Sequence, residues 1–269
     1  MTAKKTRKAI PKPARGSGPP RPARRGGSSR AAASDAQPAY GRVAADLEQR
    51  ILKRTLKPGD PLPSETELAS QFGVNRSTVR EAVRRLESAG LVGRAAGTKR
   101  LRVTRPAQSA TASSMSRALT LDEVTFIELW EAMLAIAPRT AALAAAHARP
   151  ENIDRLELCI RTVETARSSE GAVGGVVDFF GSLAATSANR VLVLAMQPVT
   201  RLLAPSLRRM IDRVPQGRSR IVVAQRCVVE ALRKGDADAA QTWMTRHVHD
   251  FRRGYEVAEI SLDTRAADV

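Results

Sequence analysis

Cysteine is almost absent from this chain. Cys159 and Cys227 lie 68 positions apart and no CxxC occurs. That leaves no thiolate metal site and no redox pair, and two buried thiols in a reducing cytosol are the expectation. Histidine is equally scarce, with only His147, His247 and His249 in 269 residues. There is no GxGxxG or GxxxxGK[ST] loop either. A catalytic nucleophile–base pair or a cofactor cradle therefore has little to be built from, and an enzyme is not expected. No apolar run reaches the roughly 18 residues that a membrane span needs. The amino terminus is basic without the apolar core of a secretion signal, which points to a cytoplasmic protein.

Basic charge is abundant, and it is unevenly placed. Residues 1–39 carry a net +9 and residues 40–106 a net +7, while residues 107–269 are close to neutral at +1. A basic end on a neutral body suggests a polyanionic partner, nucleic acid before membrane. Residues 1–39 are rich in Pro, Gly, Ala, Ser and Arg and nearly empty of large apolar side chains. Such a composition cannot offset the entropy of ordering, so a disordered basic arm is expected. It would graze phosphates without choosing sequence, or serve only as a solubilising tail.

Residues 40–106 read as a compact series. Val43, Leu47 and Ile51 recur at spacings of four, one stripe of a helix. Pro58-Gly59-Asp60 is turn chemistry. Ser64 and Glu67 form a capping box ahead of Leu68 and Phe72, and Gly73 ends that second helix. Asn75 then caps a third, whose apolar stripe is Val79, Val83 and Leu86 and which stops at Gly90. "LVGR" and "KRLRVT" are strand-like runs on either side of Ala95–Thr98. Helix, helix, tight turn, helix and hairpin make a winged helix-turn-helix. Arg76 and Arg80 share one face of the third helix, where Arg to guanine is the commonest base contact; Ser77 and Thr78 are short enough for a phosphate or a thymine methyl. On the wing, Gly97 permits close backbone approach, and Thr98, Lys99 and Arg100 extend toward the backbone or minor groove.

"PGDPLPSETELASQFGVNRSTVREAVRRLESAGLV" resembles the GntR family of transcription regulators over roughly residues 41–105. The resemblance implies double-stranded DNA as partner and carries the family's contacts onto Ser64, Arg76, Ser77, Thr78, Arg80 and Gly97. Thr66 stands where the family often has an Arg on the second helix, so it joins the DNA-facing set without that residue's reach. The partner site is expected to be a palindromic operator bound by a homodimer.

Residues 107–118 begin with a Ser/Thr/Ala linker, and a second capping box is read at Thr120 and Glu123. From 119 to 262 every segment looks helical, with helices at 124–148, 150–168, 172–187, 189–212, 217–235 and 237–260. The whole chain is therefore mainly α, a winged helix-turn-helix followed by an all-helical effector and dimerisation domain. The second part resembles the FCD-type effector domain of the FadR subfamily, anchored on "LAATSANRVL" and "VVEALRKGDADAAQTWMTRHV". That resemblance implies a divalent metal held by an Asp and three His, with an Arg for an acidic metabolite. The matching positions here are Val176, Phe180, Gln225 and His247, with Met133 in place of the Arg. One donor of four survives, and His249 points off another face of its helix, so no metal and no cofactor are expected. Met133, Val176, Phe180, Gln225 and His247 would instead line a largely apolar effector pocket, or a collapsed core. Two functions remain: a ligand-responsive DNA-binding regulator, expected to act as a repressor, and an architectural DNA-binding protein whose helical domain only dimerises.

Overall fold

The computed structural model describes residues 38–94 and 100–268. The disordered-arm reading of residues 1–39 thus falls almost wholly outside the described residues, and so do Gly97, Thr98 and Lys99 of the wing.

The head comprises α1 (Ala39–Leu52), α2 (Glu65–Phe72), α3 (Arg76–Ser88), β1 (Val92–Arg94) and β2 (Leu101–Val103). Val43, Ala44, Leu47 and Ile51 of α1 are buried with Val79, Ala82, Val83 and Leu86 of α3, and Leu68 of α2 joins the same cluster. The capping box forms as expected: Ser64 N–H donates to Glu67 Oε2 at 2.7 Å, and Glu67 N–H to Ser64 Oγ at 3.2 Å. Gly73 closes α2 at φ +61°, a left-handed turn that costs glycine nothing. Asn75 occupies the N-cap of α3, yet its side chain makes no capping hydrogen bond, contrary to the expectation.

β1 and β2 pair antiparallel with Val92 opposite Val103. The Pro58–Asp60 segment does more than turn. Val103 N–H donates to Asp60 O and Leu62 N–H to Leu101 O, both at 2.9 Å, so residues 60–62 cover the free edge of β2. Arg102 Nη1 also donates to Gly59 O at 2.8 Å.

Seven helices form the body: α4 (Gln108–Leu121), α5 (Phe126–His147), α6 (Pro150–Thr165), α7 (Ser169–Thr186), α8 (Arg190–Arg213), α9 (Gly217–Arg233) and α10 (Ala237–Val257). The expected linker is a correction, because most of residues 107–118 lies in α4. Ser113 and Thr120 donate to the carbonyls of Ser109 and Ser116, four residues back, instead of breaking the helix. Ala112 is fully buried, and α4 packs along α8. The second capping box is also displaced: Thr125 and Glu128 start α5, while Thr120 lies inside α4 and Glu123 makes the left-handed reversal at φ +57°. The five later helices fall within a few residues of the expected spans.

α5 is the central post, packed on α7, α8, α9 and α10. The chain after α10 returns to its start. Phe126 N–H donates to Thr264 O and Ile127 N–H to Leu262 O, which satisfies two of the donors that a helix start leaves free. The body therefore extends to Ala266, which is buried, beyond the expected boundary at 262.

Two adjacent glycines of α7 face opposite demands. A Cβ on Gly175 would lie 2.8 Å from Val163 Cγ2 and 2.9 Å from the Val163 backbone nitrogen, whereas one on Gly174 would meet nothing within 4 Å. Gly175→Ala should therefore destabilise the body by ~1–3 kcal/mol through overpacking. Gly174→Ala should stabilise it by about 0.5–1 kcal/mol, because it removes a helix-interior glycine. Urea unfolding of the two variants checks the opposite signs.

Candidate nucleic-acid interface and interior cavity

The buried stripe of α3 decides which side chains remain outside. Arg76, Ser77 and Arg80 are exposed and Thr78 is half-buried, all within the first turns, while Thr66 is exposed on the first turn of α2. Arg80 is not a free side chain. Its Nη2 lies 2.9 Å from Glu65 Oε2, and its Nε is 3.3 Å from both carboxylate oxygens. The hydrogen bond from Arg80 holds the Glu65 carboxyl below its usual range, with Arg76 and Arg84 adding to the field. Glu65 thus aligns Arg80 across the α2–α3 corner. Its role was not visible in the periodicity, although it sits directly after the Ser64 cap. Ser64 Oγ accepts from Glu67 N–H, which leaves its own hydroxyl hydrogen for another partner. At the described edges of the wing, Arg94 and Arg100 are both exposed.

In the body, Met133, Val176 and Phe180 come together. They line one cavity with Trp130, Phe251 and Tyr255, among others. The space left is about 30 Å³, and no charged side chain lines it. Gln225 and His247 do not line that cavity, which corrects the expected five-residue pocket. His247 stacks on Phe180 with ring centroids 5.8 Å apart, lies 4.5 Å from the Phe251 ring, and borders a neighbouring cavity of about 70 Å³. Gln225 is fully buried and borders neither. Sequence reasoning also missed Trp130 and Phe251, each one helical turn from a residue it did single out, Met133 and His247.

Three buried polar atoms here have no hydrogen-bond partner: Gln225 Oε1, Gln225 Nε2 and His247 Nε2. Burial pushes the His247 pKa down to about 3, so its ring is neutral. Burial likewise raises Tyr255 to about 12, with Ser206 Oγ at 3.1 Å from its hydroxyl oxygen.

The residues present do not fit the metal that the FCD resemblance implies. Val176 and Phe180 offer no donor, and His247 is one neutral imidazole between aromatic rings. Asp178 is exposed and opens onto a different cleft. Among the described residues no three His, Cys, Asp or Glu side chains converge.

An exposed basic face on the second helix of a helix-turn-helix, with a wing beside it, defines a DNA-binding protein. The attached helical bundle has its own core and forms a second domain beside that head. Residues 39–98 match the bacterial regulatory proteins of the gntR family, and residues 128–250 match the FCD domain. The chain belongs to the GntR family of transcription regulators, with a winged helix-turn-helix and an FCD effector-binding domain. It is 29% identical over 214 residues to a putative L-lactate dehydrogenase operon regulatory protein of Escherichia coli, covering 77% of this chain and 82% of that protein. It is 27% identical over 212 residues to the HTH-type transcriptional repressor NanR of Escherichia coli, covering 77% and 80%. The solved structure of a GntR protein from Streptococcus agalactiae aligns with a TM-score of 0.56 at 26% identity, over 80% of this chain and 99% of that one. The family and the relatives named here are transcription regulators, and no helix among the described residues is long and apolar enough to cross a membrane.

The neutral, buried His247 makes stability depend on pH. Its folded pKa lies below the unfolded value near 6.5, so the unfolded chain binds the proton first as pH falls. The folded state therefore loses stability from about pH 6.5 downward toward 3. Between pH 7 and pH 5 the loss from this group should be about 2 kcal/mol, from 1.36 kcal/mol per unit below the unfolded pKa. Denaturant melts at both pH values should show a smaller acid loss by that amount in His247→Phe.

Proposed function

We propose that this regulator is a dimeric repressor of the FadR subfamily type. In this reading it binds a palindromic operator through α3 and the wing, and leaves it when a small, largely apolar metabolite enters the body. The observation that carries the DNA reading is the one-sided burial of α3. Val79, Ala82, Val83 and Leu86 are inside, and Arg76, Ser77 and Arg80 are outside at the end that enters a major groove. Two such helices related by a two-fold axis match two half-sites. The basic arm adds sequence-blind affinity through phosphates, together with Thr98 and Lys99 of the wing.

Support for an apolar effector comes from the lining of the interior cavity, which has no charged side chain. Its 30 Å³ holds about one water molecule. An effector can enter only as α5, α7, α8 and α10 move apart, so its burial and the helix displacement are a single event. A switch needs such a differential affinity between two arrangements. The unpartnered groups of Gln225 and His247 supply neutral hydrogen-bonding capacity near this core. The small cavity also favours the second reading, an architectural protein whose helical domain only dimerises.

Binding to operator and to random duplex at one salt concentration tests the first half. Arg76→Ala and Arg80→Ala should each cost ~1–3 kcal/mol on the operator and less on random DNA. Equal losses on both would reduce these residues to phosphate contacts, and no loss would remove the interface. A thermal-shift screen of acyl, aromatic and terpenoid compounds, followed by operator release, separates regulator from architectural protein. Failure of every stabilising compound to release DNA would favour the latter.

A further inference from the structure

The body has a second cleft, polar and unrelated to the apolar core. It encloses about 400 Å³ between α6, α7 and α8, and Gln108, the first residue of α4, lies at its edge. Ligand sites for small molecules occupy this range of volume. Arg155 of α6 and Arg201 of α8 both line it. Neither forms an ion pair among the described residues, whereas Arg220, Arg226 and Arg233 elsewhere in the body pair with Asp250, Glu164 and Glu157. Each of the two instead holds a neutral serine: Arg155 Nε donates to Ser182 Oγ at 3.2 Å, and Arg201 Nη1 to Ser113 Oγ at 2.9 Å. Their remaining N–H groups are available for an anion.

The same cleft has the opposite need as well. Gln197 lines it, and its Oε1 is shut off from solvent without a hydrogen-bond partner. Such an atom carries the full cost of desolvation until a donor reaches it. Asp178 is a second acceptor in the lining and its single acidic residue. Guanidinium groups favour a carboxylate; Gln197 and Asp178 favour a hydroxyl or ammonium beside it. Val177 and Val193 leave apolar surface for a short tail. Gly181 also lines the cleft, and a Cβ there would meet nothing within 4 Å. Packing therefore does not demand a glycine at that point of α7, and the space above it is open.

We propose that this cleft binds a small 2-hydroxy or 2-amino carboxylic acid and that the ligand ties α4 to the rest of the body. Arg201 already reaches Ser113 of α4, and Gln108 begins that helix after a connection of only residues 104–107 from β2. An occupant held by Arg155, Arg201 and Gln197 strengthens this attachment on the chain's path to the DNA-binding head. The site uses none of the residues of the apolar cavity apart from Val177 and Thr200 at its wall, and stands independently of the apolar-effector reading.

Isothermal titration of the full chain with three five-carbon probes tests this: norvaline, 2-hydroxypentanoate and pentanoate. The wild type should bind norvaline or 2-hydroxypentanoate saturably, one per chain, and pentanoate at least tenfold more weakly. Arg155→Gln and Arg201→Gln should each weaken binding tenfold or more, and Gly181→Leu should abolish it by filling the cleft. Both arginines are exposed, so their variants keep the test open even if Gly181→Leu fails to fold. No saturable binding of either substituted acid up to about 10 mM would overturn the proposal. So would binding unchanged by the arginine substitutions, or equal affinity for pentanoate. Loss of binding in Val176→Phe with retention in Gly181→Leu would move the ligand to the core cavity and also overturn it.

Discussion

Burial of one face of α3 against α1 governs the DNA-binding half. Val79, Ala82, Val83 and Leu86 go inward with Val43, Leu47 and Ile51, and apolar area removed from water stabilises that arrangement at about 25 cal/mol per Å². Once the stripe is committed, helical geometry leaves Arg76 and Arg80 on the outer side. Rotating α3 to hide them would expose the stripe and bury two charges. Recognition chemistry is therefore a consequence of packing. Glu65 refines it by bridging α2 to Arg80, an exposed ion pair that contributes orientation more than stability. The β2 edge is closed on one side by β1 and on the other by residues 60–62, which anchors the wing to the same core.

The body solves a different problem. The positions at which the FCD resemblance implies metal donors are occupied by Val176 and Phe180, which pack in the core. This apolar filling draws Met133, Trp130 and Phe251 around a cavity too small for more than a water molecule. It also strands polar atoms on Gln225 and His247, a cost that neutrality of the imidazole reduces but does not remove. Gly175 shows how tightly the surrounding helices meet, since even a methyl group would collide with Val163. An interior of this density responds to an added molecule by discrete displacement rather than gradual swelling.

Polar side chains line a cleft at the periphery of the bundle, where Arg155, Arg201 and Gln197 surround open space beside α4. α4 is held by few apolar contacts, Ala112 being its buried residue, and by the hydrogen bond from Arg201 to Ser113. α4 lies directly after the wing, so a ligand beside it would act on the element of the body nearest in sequence to the DNA-binding head.

The local patterns were readable from the chain alone because their causes lie within one turn. The spacing of Val43, Leu47 and Ile51, the Ser64–Glu67 box, the left-handed Gly73 and the five later body helices all belong to that class. Motif order then sufficed for the winged helix-turn-helix. Tertiary structure alone decided the rest. α4 is helical because α8 supplies a surface that a Ser/Thr/Ala run does not announce, and α5 starts at Phe126, after the Thr125 cap, where the returning tail meets its free N–H groups. Glu65 and Arg80 are 15 residues apart, Arg155 and Ser182 27, and Arg201 and Ser113 88. Pairings at such distances depend on where packed helices bring their side chains, and periodicity carries no information about that.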